Sequence, residues 1–417
     1  MAVWRKQRCV VAVIPMKHFA DLPVDCLVGG SLSSLQCIPL QPYANESVSF
    51  LEDWSRELLG DSKVREYPDV TSFAYWCRPA NLARLKRELS DQHSRIGRGL
   101  ALHIAPTNVP VNFAFSWAFG ILSGNANIVR VPEGLPIQAS LLCSSAAKVL
   151  ALPKHDRIAT MSRLISYPRE DSITRSLSLL ADVRVLWGGD NTINHLRAMP
   201  VSPRNVDIAF TDRYSLCLIG AKSLLEADEN ALKALAKGFY NDVFLFDQNA
   251  CSSPHLLLWQ GQIDEVTAAK ERFWKAVNSL LNSKEPLSSI HAVEKYTLLC
   301  RSAIGIEGVR LERQINNKIY RLSLSELPAD IANFRGQYGF FFESIDNDFS
   351  QLQRIVNERY QTLSFFGVDP KTLIDTIVSR GLPGIDRVVP IGKALDIGVV
   401  WDGYDLIRSM SRIVANR

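Results

Sequence analysis

Residues 100–131, LALHIAPTNVPVNFAFSWAFGILSGNANIVRV, decide how the rest of the chain is read. Leu100 to Ile104, apolar but for His103, is a candidate for a buried strand. A proline-bounded turn follows, then a helix-like apolar segment from Phe113 to Leu122. Gly124-Asn125 ends that helix in the manner of a C-cap, and Ile128 to Val131 is the next strand. The alternation continues: a helix from about Ile137 to Leu150, a strand around Leu164 to Tyr167, and a helix from about Asp171 to Leu180. The strand Val183 to Leu186 then runs into the turn Trp187-Gly188-Gly189-Asp190, which opens a short helix. Val206 to Phe210 closes the series. Strands alternating with helices predict an α/β fold with a doubly wound parallel sheet. Such sheets bind ligands beyond the carboxyl ends of their strands, where the Pro106 turn, Arg130 and Trp187-Asp190 would all sit.

Outward from this core the pattern changes. Residues 1 to about 50 read as short strands and loops, with Gly29-Gly30-Ser31-Leu32-Ser33-Ser34 as a turn. From about Leu51 to Gln92 the pattern is mostly helical. A second unit begins near Leu216, with a helix carrying Leu232, Leu235, Ala236, Phe239 and Val243. A strand-like run from Leu256 to Trp259 follows, then a helix from about Asp264 to Leu281. Phe340-Phe341-Phe342 and Leu363 to Phe366 are further strand candidates.

Composition narrows the function classes. The chain has 417 residues, 47% of them hydrophobic and 22% charged, with a mean hydropathy of +0.01 and a net charge of +4. That is an ordinary globular profile. No basic run interleaved with aromatics appears, so nucleic acid is not the expected partner. Eight cysteines are scattered with no C-x-x-C pair, and the seven histidines show no H-E-x-x-H spacing, so no metal is expected. Trp4 to Ile14 faintly imitates a signal peptide, but its apolar run is short and meets Pro15, Lys17 and His18 at once. No apolar stretch approaches the ~18 residues of a spanning helix. The expectation is a cytoplasmic protein with reduced thiols.

Asp247-Gln248-Asn249-Ala250-Cys251-Ser252-Ser253-Pro254 sits between a helix and a strand. A cysteine held there among small polar residues is well placed to be a nucleophile. The competing reading is a buried structural thiol, since free cysteine is among the most buried residue types. Asn108, between two prolines, is either a turn residue or an amide donor to a developing oxyanion. Arg130 is either a surface cation or a ligand for an anion at a strand's carboxyl end. Trp187-Gly188-Gly189-Asp190 is either a plain turn or a loop carrying a pyrophosphate near a helix N-terminus, with Asp190 opposing an anion placed too close. No G-x-G-x-x-G fingerprint is present. His255 could assist Cys251 or be a packed core residue, and Asp247 is read as a structural hydrogen-bonding partner.

Taken in order, Asn108 in its Pro-x-Asn-x-Pro turn, the Gly-Asn segment ending in Arg130, Gly188-Gly189 and Cys251 resemble the aldehyde dehydrogenase superfamily. The likeness is closer to the long-chain acyl-CoA reductase branch, the fatty-acid reductases of bacterial luminescence. It is carried by Phe246 to Pro254, by Trp187 to Asp190, and by the tail Arg387 to Asp396 followed by Trp401-Asp402-Gly403-Tyr404-Asp405. It runs from about Gly99 to the C-terminus and is poor over roughly the first 90 residues. The resemblance implies an aldehyde dehydrogenase-like fold. Residues 1–215 would be the nicotinamide-nucleotide-binding domain with an N-terminal extension, 216–389 the catalytic domain, and 390–417 a segment returning to the nucleotide-binding and oligomerisation side. A homo-oligomer is expected on the same ground.

One departure from the superfamily is informative. Oxidising members carry a glutamate base in a Glu-Leu-Gly-Gly-Lys segment, and here the matching stretch is Phe210-Thr211-Asp212-Arg213-Tyr214. Without that base an acyl-enzyme is not hydrolysed, which implies an acylating, reductive enzyme. The resemblance assigns Cys251 as nucleophile, Asn108 as oxyanion donor, and Arg130, Trp187, Gly188 and Gly189 to the cofactor. Gln337 is the nearest stand-in for the glutamate that binds the nicotinamide ribose. Arg130 in place of lysine suits a 2′-phosphate, because its fork binds phosphate bidentately, so NADPH is the expected cofactor. The expected substrate is an acyl-CoA, with a partner acyl-protein synthetase as a further candidate donor. The alternatives are an aldehyde dehydrogenase making acids with a displaced base such as Glu343, and a non-catalytic acyl-carrying subunit.

Overall fold

The computed structural model describes Phe19 and residues 22–89, 93–106, 109–131, 133–282, 287–313 and 316–415. Asn108 lies outside the described residues. Two compact units form, one running up to Thr211 and resuming at Tyr404, the other spanning Asp212–Gly403.

The first unit contains β1 (Asp25–Val28), β2 (Ser94–Gly97), β3 (Leu100–Ile104), β4 (Ala126–Arg130), β5 (Ser162–Ser166), β6 (Val183–Trp187) and β7 (Val206–Phe210). Six of them make one sheet in the order β1-β5-β4-β3-β6-β7. All its neighbours run parallel except the edge pair β1 and β5. The chain winds outward from β3 in both directions, so the order reverses between β3 and β6. That reversal places a crevice outside their carboxyl ends. β3 is buried along its whole length, because both faces are covered. Leu100, Leu102 and Ile104 join one apolar cluster with Ile128, Ile165 and Leu186. On the other face the helix Asn112–Leu122 buries nine of its eleven residues.

That second face also carries buried polar groups, and they are satisfied. His103 bridges Ser116 Oγ at 2.8 Å and Asn127 Oδ1 at 3.0 Å. Burial pushes its imidazole down to about 4, so it is neutral. Asn125 donates to Ser123 Oγ and to the Met410 carbonyl, and accepts from the Gly99 N–H. The two asparagines before Arg130 are therefore structural. Gly124 takes φ +83°, and a Cβ there would lie 2.0 Å from the Leu40 carbonyl oxygen. Residues 45–50, read as loop above, are the first turns of the helix Asn45–Gly60. Its apolar period starts only at Phe50, so the polar first turn gave no signal.

The second unit is built on β8 (Tyr214–Gly220), β9 (Pro254–Gln260), β10 (Arg310–Leu311), β11 (Tyr320–Ser323), β12 (Phe340–Ile345), β13 (Tyr360–Phe366) and β14 (Arg387–Pro390). Their order is β10-β11-β12-β9-β8-β13-β14, parallel apart from β10. Alternate residues feed two apolar layers: Leu216, Leu256 and Phe342 on one face, Cys217, Leu257 and Phe341 on the other. Strands covered on both faces read as apolar runs, which is why β9, β12 and β13 are visible in the sequence. The helix Ser289–Gly305 is not, because the residues it buries fully, Lys295 and Ser302, are polar.

Candidate functional site

In the first unit a cleft of about 560 Å³ opens at the carboxyl ends of β3, β4 and β6. Ile104, Ala105 and Pro106 form one wall, Trp187, Gly188 and Gly189 another, and Arg130 and Arg169 contribute guanidiniums. Trp187 stacks on Phe210 with ring centroids 3.8 Å apart, and its indole N–H donates to Ser116 Oγ at 3.2 Å. These contacts fix the ring as a rigid wall. Gly189 caps the helix Asp190–Arg197, so the first N–H groups of that helix face the turn. A Cβ on Gly189 would meet nothing within 4 Å, whereas one on Gly188 would press on Thr192 at 3.1 Å.

Arg130 holds one end of its guanidinium against the protein. Its Nη2 donates to the Tyr167 carbonyl at 3.1 Å, and the group lies 4.6 Å from the centre of the Tyr167 ring. Its Nε is buried without a hydrogen-bond partner, which is costly unless a ligand or water accepts from it. The carboxylates at the cleft are engaged locally: Asp171 pairs with His195 at 2.9 Å, and Glu170 accepts from Ser172. A guanidinium with an unpaired Nε, a stacked aromatic wall and a helix N-terminus beside a glycine pair suit a phosphate-bearing dinucleotide.

In the second unit Cys251 sits in a loop that the chain holds by side-chain bonds. Asp247 and Gln248 both take left-handed φ, 50° and 65°. The buried Gln248 pins them, donating to the Pro254 and Phe340 carbonyls and accepting from the Gly339 and Phe340 N–H groups, all at 3.0 Å. Asp247 contributes its carbonyl, which accepts from the Tyr338 N–H. Ser215 Oγ donates to the Cys251 carbonyl at 2.7 Å and accepts from the Thr362 N–H.

The sulfur has one close polar neighbour that the sequence did not disclose. Gln361 Nε2 donates to Cys251 Sγ at 3.3 Å and also to Asp402 Oδ1. Burial, then the Asp402 charge, push the thiol up to about 11, with Gln361, Arg335 and Arg387 acting the other way. Burial likewise lifts Asp402 to about 6, against the pull of Arg213, whose Nε lies 3.9 Å away. At neutral pH the thiol is protonated and Asp402 is mostly ionised. The tail motif wraps this site: Arg387 donates to the carbonyls of Ala394 and Asp396 and lies over the Trp401 ring at 4.1 Å. Asp242 accepts from the Gly392 and Ala394 N–H groups at 2.6 and 3.0 Å.

Three other expectations meet the structure here. His255 is fully buried and stacks on Tyr214. Burial and Arg335 hold its ring well below the usual histidine range, so it is a neutral core residue. Glu343 is no free base. It is fully buried, accepts from Trp274 Nε1 at 2.7 Å, and pairs with Arg321 at 3.1 Å and Lys270 at 3.4 Å. Burial would raise its carboxyl, but those two cations outweigh it and leave it below the ordinary range. Gln337 lies exposed in the turn before β12, where Tyr338 stacks on His291 and its carbonyl accepts from Lys295. Among the described residues no group of three histidine, cysteine or acidic side chains could hold a metal, and no helix is long and apolar enough to cross a membrane.

The chain is folded like the aldehyde dehydrogenases. Aldehyde dehydrogenase 21 from Physcomitrella patens superposes with a TM-score of 0.62 at 14% identity, covering 89% of this chain and 86% of that one. Glyceraldehyde-3-phosphate dehydrogenase GapN from Methanocaldococcus jannaschii, solved with NADP, gives 0.61 at 13% identity over 89% and 88%. Within that fold the chain belongs to the acyl-CoA reductase (LuxC) family, whose profile matches residues 77–413. It is 30% identical over 210 residues to a long-chain acyl-protein thioester reductase of Aliivibrio fischeri, covering 48% of this chain and 41% of that protein. Against the Vibrio harveyi reductase of the same description, identity is 26% over 325 residues, 76% of this chain and 63% of the relative. The chain thus spans less than two thirds of the length of these relatives.

Proposed function

We propose that the protein reduces a long-chain fatty acyl thioester to the aldehyde with NADPH, through an acyl group carried on Cys251. The observation that carries this reading is a cysteine on a pinned loop, with an amide donor on its sulfur, in a chain of the acyl-CoA reductase family. The acyl donor is a CoA thioester or the acyl group of a partner acyl-protein synthetase. Sγ gives up its proton and bonds to the acyl carbon, and the donor's thiol leaves with that proton. The Cys251 backbone N–H and the Asn108 amide are assigned to the tetrahedral oxyanion; one such donor is worth about a hundred- to a thousandfold in rate. Arg130 and Arg169 would hold the cofactor's 2′-phosphate, the Gly188-Gly189 turn its pyrophosphate, Trp187 would wall the cleft, and Gln337 is assigned to the nicotinamide ribose. When bound, the reduced nicotinamide supplies the hydride that takes the acyl group to the aldehyde level. The C–S bond then breaks, its electron pair returning to Sγ.

Reduction is favoured over hydrolysis by the engagement of two carboxylates, Asp402 and Glu343. Asp402 is bound by Gln361 and faces Arg213, and Glu343 is committed to Lys270, Arg321 and Trp274. Glu343, the displaced base that the acid-forming alternative names, is therefore not free to activate water. NADPH consumption followed by absorbance across acyl-CoA chain lengths tests the reading, with aldehyde as the expected product. Oxidation of aldehyde to acid without CoA would overturn it.

A further inference from the structure

We propose that Gln361 is a catalytic residue that donates to Sγ of Cys251, and that Asp402 is the positioning residue that keeps the donating end of its amide on the sulfur. This rests on Cys251 being the acylated group. A glutamine amide presents an N–H₂ at one end and a carbonyl at the other, and the surrounding network decides which end faces a neighbour. Here the network leaves one choice. Arg387 only donates, and its Nη1 reaches Thr362 Oγ1 at 3.4 Å. The Thr362 hydroxyl is thereby left to give its proton to Gln361 Oε1, 3.2 Å away. At the other end an ionised Asp402 only accepts, so it demands an N–H from Nε2. The second hydrogen of that N–H₂ is the one shared with the sulfur at 3.3 Å.

Gln361 is completely buried, and the Asp402 side chain is only 5% exposed, so water does not compete well for these bonds. A donor on sulfur favours whichever state carries negative charge there. That charge develops twice in the proposed cycle. It forms as the thiol loses its proton, before the sulfur's electron pair makes the S–C bond. It forms again when the C–S bond breaks and the pair returns to sulfur. Asp402 also bears on the sulfur directly and with the opposite sign, raising the thiol, while Arg335 and Arg387 lower it. The positioning role must therefore be separated from that field.

The test is alkylation of Cys251 by iodoacetamide on the full chain, read on the Cys251 peptide by mass spectrometry from mildly acidic to alkaline pH. It needs neither acyl donor nor nicotinamide. Gln361→Met keeps the length and removes the donor. It is expected to slow alkylation about tenfold at fixed pH and to move its midpoint up by about one pH unit. In an Asp402→Asn background the amide is free to turn, so the same change should cost less than about threefold. An unchanged profile in Gln361→Met, or an equal shift in both backgrounds, would overturn the proposal. Should the methionine variant fail to fold, Gln361→Glu, of the same shape but an acceptor, must slow alkylation at least as much. If the variants show these shifts but the wild-type chain never takes up an acyl group, the acyl-reductase reading fails and the thiol device stands.

Discussion

The cleft of the first unit and the thiol site of the second are built in opposite ways. The cleft lies at strand carboxyl ends, and all its lining residues fall between Ile104 and Leu196. It follows from topology: once the sheet order reverses between β3 and β6, a crevice must open there. The thiol site lies at the amino ends of β8, β9 and β13 and is assembled from distant side chains. Gln361 reaches Cys251 across 110 positions and Asp402 across 41. A site made by topology is robust to sequence change. One made by a few long-range polar contacts is specified residue by residue.

Mutations in the two units should differ in size and kind. The largest effect is expected at the buried ion cluster on β12. Glu343→Gln leaves Lys270 and Arg321 without their counter-charge, and breaking a buried ion pair this way costs about 3–5 kcal/mol. Denaturant unfolding should show the loss. Arg130→Gln should raise KM for NADPH by about tenfold or more, the worth of a charge-assisted phosphate contact, with little change for NADH. Equal losses for both cofactors would remove Arg130 from the 2′-phosphate.

Asp242→Ala should behave as a pH-dependent change. Burial lifts the Asp242 carboxyl to about 7, far above its unfolded value, so the native state binds the extra proton between those two limits. Stability from this group is therefore greatest at low pH and is lost as pH rises through about 7. Relative to wild type, the alanine variant should be most destabilised near pH 5 and progressively less so by pH 8, as read by thermal unfolding. A penalty that grows with pH would contradict the assignment. The smallest effect is expected for the exposed Gln337→Ala, a few-fold rise in KM for the cofactor, in line with a neutral hydrogen bond. No change at all would leave the ribose to another residue.

What the sequence revealed follows the same division. The strands Leu100–Ile104 and Val206–Phe210 and the helices Ile137–Leu150 and Asp171–Leu180 stand where the apolar periodicity put them. Burial on both faces imposes that periodicity. The cysteine loop was visible through its small polar residues and its resemblance. Gln361 was not, because a lone amide within a buried strand carries no local pattern. Asp402 and Arg387 lay inside tail segments already singled out, but their partners are set by tertiary packing. Gly124-Asn125 reads as a helix C-cap, and the Asn125 and Asn127 side chains prove to close a buried hydrogen-bond network that no local pattern discloses.

The central claim is a thioester on one sulfur, and trapping it is the direct measurement. With NADPH withheld, the chain should take up one radiolabelled acyl group from long-chain acyl-CoA, recovered on the peptide holding Cys251. Adding NADPH should release the label as aldehyde, and Cys251→Ala should take up none. Label persisting in that variant, or settling on another cysteine, would contradict the account.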